Sequence, residues 1–174
     1  MFIVICIGFP SPFIAIHLLW INLITDSLPA IALGMDPKDP NAMKEKPRDA
    51  KESLFAHGGY LTTIGYGAVI TISVLIAYLS GFWVNGIYSY SDIVNVASNS
   101  PILLQARTMA FVALAFSEIF HMVGMSNQNR SFIHVFKNKN YMMLIAAVVA
   151  VALQLAVIEI PFMRDVFSTS DLTV

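Results

Sequence analysis

The sequence predicts an all-α fold: a polytopic transmembrane helix bundle of about four full spans, preceded by the end of another. Two observations carry that expectation. Charged residues make up 12% of the 174 and hydrophobic ones 57%, whereas soluble domains run nearer one quarter charged. That is too little charge for a water-facing surface of this size, so lipid must cover much of it. The apolar residues also fall into long, nearly uncharged runs, and a helix needs about 20 mostly apolar residues to cross a bilayer.

Residues 1–9 are apolar but short, and Pro10 and Pro12 end them. No basic residue precedes Lys38, so the start lacks the positive region of a signal peptide. It reads as the tail of a helix cut in mid-span, and the whole as an excised fragment. Four runs follow, at about 13–35, 58–84, 102–126 and 141–160. The first is apolar except for Asp26, and the second has no charge. The third holds Arg107 near one end and Glu118 inside. The fourth is uncharged until Glu159, with Pro161, Arg164 and Asp165 beyond it.

Lys and Arg set the orientation. Lys38, Lys44, Lys46, Arg48 and Lys51 crowd the 36–57 loop, and Arg130, Lys137 and Lys139 lie in the 127–140 loop. If the spans alternate, these loops share one side, and that side is cytoplasmic. The turn at Pro10 and the C-terminal tail then face outward, with Arg107 and Arg164 snorkelling at the outer boundary. Trp20, Trp83, Tyr88 and Tyr90 are candidate interfacial anchors, Trp83 the best placed. His17, His57 and His134 read as interfacial. The chain is thus expected to be an integral, multi-pass protein of the cell membrane.

Net charge is −1 at pH 7, so no basic excess points to nucleic acid. The single cysteine, Cys6, forms no internal disulfide and reads as a small buried hydrophobe. Neither a G-x-x-x-x-G-K-[ST] loop nor an Asp-Lys-Thr-Gly phosphorylation motif is present, so this stretch has no means of hydrolysing ATP.

The chemistry concentrates in Asn22-Leu23-Ile24-Thr25-Asp26-Ser27-Leu28-Pro29. A carboxylate at the centre of a span costs about 2.5–3.5 kcal/mol on insertion scales, and something must offset it. Asn22, Thr25 and Asp26 stand at i, i+3 and i+4, on one helix face. Pro29 has no N–H, so the Thr25 carbonyl loses its helical partner. A carboxylate, an amide oxygen, a hydroxyl and a free carbonyl suit a hard cation such as calcium, and broken helices place ions in transporters. The same face would also serve as a polar helix–helix contact around a proline kink. Glu118 is the second intramembrane acid, either a counter-charge for a divalent cation or a protonated hydrogen-bonding group. His121, one turn on, reads as structural. Manganese accepts similar oxygen ligands.

From Leu18 to Pro47 the sequence resembles calcium-transporting P-type ATPases. The matching stretch is L-L-W-I-N-L-I-T-D-S-L-P-A-I-A-L-G, then Met35-Asp36-Pro37, Met43 and Lys46-Pro47-Arg48. In that family this is the sixth transmembrane helix and the loop after it, and related sodium and proton pumps usually have an acid at the place of Asn22. The resemblance covers nearly the whole chain, from the end of the fifth helix through the ninth. It implies that Asn22, Thr25 and Asp26 are calcium ligands and that Glu118, in Ser117-Glu118-Ile119, is the eighth-helix glutamate. Calcium would be the transported ion, and ATP and magnesium would act only through missing cytoplasmic domains. The 36–57 loop would touch the phosphorylation domain. Many animal pumps have Gly where this chain has Ser27, so the helix break rests more on Pro29. The runner-up is a fragment of a secondary transporter or exchanger using the same carboxylates. Such folds usually carry internal repeats, and none recurs here at matching spacing.

Overall fold

The computed structural model describes residues 1–35, 59–125 and 141–172, with the side chains of Thr25, Asp26, Pro29, Leu33 and Met125 outside that description. The expected basic loops, with His57 and His134, lie outside the described residues.

All regular structure among the described residues is helical. A short α1 (Phe2–Cys6) ends at Gly8, whose φ of +88° lets the chain turn. Pro10 and Pro12 cannot continue a helix, and Ile14 is extended. From there α2 (Ala15–Ile21), a π-helical turn (Asn22–Asp26) and α3 (Ser27–Gly34) form one uninterrupted helix. It is followed by α4 (Gly59–Trp83), α5 (Tyr90–Val94), α6 (Pro101–Met125), α7 (Tyr141–Glu159) and α8 (Pro161–Phe167). Three of these, α4, α6 through Gly124 and α7, are long and apolar enough to cross a membrane. The residues around α2, Ala15–Ile24, form a shorter apolar helix. The fold is therefore a polytopic helix bundle, and the protein is an integral membrane protein.

Two apolar clusters hold the bundle together. One joins Val4, Phe13, Ile21, Tyr78, Phe82, Leu103, Phe111 and Val157. The other joins Ala32 of α3, Ile119 and Met122 of α6, and Met143, Ala146 and Ala150 of α7. On α7 the buried residues Met143, Ala146, Ala150, Gln154 and Val157 recur every three or four positions, a single helical stripe. On α6 the buried residues include Ala106, Ala110 and Ala115. Small side chains let membrane helices approach closely where lipid removes the hydrophobic driving force between them. By contrast α4 is buried only near its end, at Tyr78, Gly81 and Phe82. Leu61, Ile64, Val69, Ile72 and Ile76 stand exposed along it. Its hydroxyls are satisfied within the helix: Thr63, Thr71 and Ser73 donate to the carbonyls of Gly59, Gly67 and Val69 at 2.9, 2.7 and 2.9 Å.

The connections expected on the outer side gather at one end of the bundle. Tyr90 Oη donates to the Ile7 carbonyl and Tyr78 Oη to that of Pro10, both at 2.7 Å. Arg107 Nε donates to the Ser11 carbonyl at 2.9 Å. The backbone N–H of Ser170, past α8, donates to Thr108 Oγ1 at 2.9 Å. Arg164 pairs with Asp171 at 2.8 Å and donates to the Glu159 carbonyl at 3.2 Å. Both arginines thus have protein partners at that end of the bundle.

Candidate cation site

The π turn coincides with the segment singled out by sequence. Asn22 opens it and Asp26 closes it, with Thr25 between. The local reason is Pro29. An α-helical Thr25 carbonyl would accept from residue 29, and proline has no N–H to give. The helix responds by widening the turn before the proline rather than by breaking, so the expected break is replaced by a continuous helix with one wide turn. Single π turns of this kind insert one extra residue into a helix and often mark functional sites. Here the widened turn carries all three candidate ligands of the first span. Asn22 is exposed, uncovered by the described residues.

Glu118 is half-buried on α6. That helix packs against the π turn. Ile24 of the turn and Ile119, next to Glu118, belong to one apolar cluster. The helix that bears Glu118 and the turn that bears Asn22, Thr25 and Asp26 thus pack into the same part of the bundle. His121 packs its ring on Tyr66 of α4, with centroids 4.9 Å apart. That contact matches its structural reading.

Two sequence expectations change. His17 is not interfacial: it is fully buried, its ring stacked on Phe111 at 4.5 Å and its Nε2 2.8 Å from the Phe167 carbonyl. Cys6 is not a buried hydrophobe: it is exposed among the described residues. Trp20 is half-buried. Its Nε1 donates to Gln154 Oε1 at 3.0 Å, and its ring meets Phe167 edge-on at 4.8 Å. Sequence reasoning passed over Gln154 altogether, because it lies in a run notable for having no charge. The available signal was an amide inside an apolar helix, which is costly unless bonded.

A family model described as "Cation transporting ATPase, C-terminus" matches residues 10–174. The chain belongs to this cation-transporting ATPase family. Over 174 residues, 99% of the chain, it is 38% identical to Calcium-transporting ATPase 1 of Bacillus cereus and covers 20% of that protein. It is 35% identical over 158 residues to a calcium-transporting ATPase of Listeria monocytogenes, covering 91% of the chain and 16% of that protein. To calcium-transporting ATPase type 2C member 2 of Homo sapiens it is 28% identical over 163 residues, 94% of the chain and 16% of that protein. The chain spans a fifth or less of each of these relatives. Membership in the cation-transporting ATPase family sets aside the exchanger reading. The π turn and the Glu118-bearing turn of α6 are therefore features of the C-terminal membrane part of a cation-transporting ATPase.

Proposed function

We propose that this domain is the ion-binding membrane part of an ATP-driven calcium pump, with Asn22, Thr25, Asp26 and Glu118 as oxygen ligands of the transported calcium. The observation that carries the reading is the wide turn at Asn22–Asp26, packed against α6, the helix that bears Glu118. Calcium takes six to eight oxygen ligands in flexible geometry. A carboxylate on each of two packed helices gives a divalent ion its counter-charge, and the amide and hydroxyl fill the shell without further charge. The widened turn suits this role because its backbone carbonyls are less committed to the helical ladder. That these relatives are calcium-transporting ATPases favours calcium over manganese.

ATP and magnesium act on cytoplasmic domains of the longer protein. The 36–57 loop joins those domains to the ion-bearing helix, and the lipid of the cell membrane and the pump's other helices surround the bundle.

Asp26→Asn in the intact pump tests the reading. The variant keeps size and most hydrogen bonding but removes the charge. Calcium-activated phosphorylation from ATP is expected to be lost. Phosphorylation backward from inorganic phosphate, which in this family needs empty ion sites, is expected to survive and to lose its inhibition by calcium. A misfolded pump fails both assays. Retained calcium activation would overturn the assignment.

A further inference from the structure

The helix that carries the π turn is held on its approach side by polar contacts that no apolar core requires. Trp20, two residues before Asn22, donates its indole N–H to Gln154 of α7 at 3.0 Å. His17, one turn earlier on α2, bonds the Phe167 carbonyl of α8 at 2.8 Å and lies on the Phe111 ring of α6. Three elements thus grip α2 just ahead of the turn. Gln154 and His17 are both fully buried. Among the described residues, Gln154 Nε2 and His17 Nδ1 have no hydrogen-bond partner. Keeping an amide with one idle group in the middle of an apolar helix is costly, and a leucine there would fill similar space without the loss. The bond that Gln154 does make is the Trp20 contact.

We propose that Gln154 and Trp20 are positioning residues for cation binding: their hydrogen bond fixes the rotation of α2 and so the direction in which the Asn22–Asp26 turn presents its oxygens. The inference rests on the calcium-site reading above. A π turn gives little rotational restraint of its own, because its wide ring is only one of several ways to accommodate the missing Pro29 N–H. The helix on one side must supply that restraint. Beyond the turn, α3 is held by Ala32 in an apolar cluster, a contact that tolerates rotation more readily than a directional hydrogen bond does. Trp20 is not itself a candidate ligand. It acts through the continuous backbone from residue 20 to residue 22.

The test is a double-mutant cycle in the full-length pump, using Trp20→Phe, Gln154→Leu and the pair. Each single variant leaves one polar partner unsatisfied, whereas the pair removes both, and paired removal is close to neutral for stability. The expected result is that the pair regains the thermal stability lost in the singles. It nevertheless still needs roughly three- to tenfold more calcium for half-maximal activation, at or below the low end of what losing an outer-shell partner costs a metal site. Maximal phosphorylation from inorganic phosphate stays at the parent level. If the pair recovers calcium affinity together with stability, or if no variant shifts the calcium dependence, the bond serves packing alone and the proposal is overturned. Asp26→Asn run alongside separates the two ideas: retained calcium activation there removes the site reading itself, whatever the cycle shows.

Discussion

Gly81 of α4 sits against the backbone of Ala106 on α6, so that a Cβ on Gly81 would come within 2.8 Å of the Ala106 Cβ. Neither helix can move away cheaply, because Tyr78 and Phe82 on one side and Leu103 and Ala110 on the other are already packed into the same cluster. Gly81→Ala is expected to lower stability by about 1–3 kcal/mol, the usual cost of overpacking. Gly67→Ala is the control, since a Cβ at Gly67 meets nothing within 4 Å. Thermal unfolding of both variants in detergent checks this: a lowered midpoint for Gly81→Ala and an unchanged one for Gly67→Ala.

The turn between α1 and α2 is fastened through its carbonyls. Tyr78 supplies the more buried bond, to Pro10, and Tyr90 the more exposed one, to Ile7. Tyr78→Phe leaves the Pro10 carbonyl without that donor and is expected to cost about 1–3 kcal/mol. Tyr90→Phe lets water replace the hydroxyl and is expected to cost less than about 0.5 kcal/mol. Chemical unfolding of the two variants side by side gives the comparison, and equal losses would contradict it.

The Lys and Arg distribution fixes the expected orientation. In a background with Cys6, which is exposed, and other cysteines replaced, single cysteines at Lys44 and Asn138 should react with impermeant reagent from the cytoplasmic side only. One at Asn95 should react from outside only. The reverse pattern would invert the topology, and labelling of all three from one side would change the number of spans.

Glu118→Gln in the full-length pump is expected to raise the calcium requirement by roughly tenfold or more, or to change the number of ions bound, while expression stays near the parent level. Equilibrium calcium binding to purified membranes reads both quantities. Unchanged binding and unchanged calcium-dependent phosphorylation would leave Glu118 as a hydrogen-bonding residue of α6.

Much of this architecture was legible without coordinates. Uncharged runs bounded by prolines and basic loops predict a polytopic helix bundle, because no water is available inside a bilayer to satisfy an open backbone. Asn22, Thr25, Asp26 and Pro29 stood out because polar groups and a missing N–H are costly there. The length of the helix was foreseeable, but its shape at Pro29 was not. Sequence spacing says that one hydrogen bond must be lost, not whether the chain breaks or widens, and packing of the flanking α2 and α3 decides that.

What the sequence determined by itself is therefore the class of fold and the one segment rich in oxygen ligands, both consequences of local chemistry in an apolar solvent. Only the tertiary structure decided which faces meet. It took His17 from an expected interface into the interior and set half-buried Trp20 against Gln154 and Phe167. It packed α6, the helix that bears Glu118, against the π turn. It also gave Gln154 a partner. Residues 20 and 154 are linked by nothing in the local sequence. Their hydrogen bond exists because buried polar groups in a low-dielectric interior must find each other, and which groups can do so depends on how α2 and α7 cross.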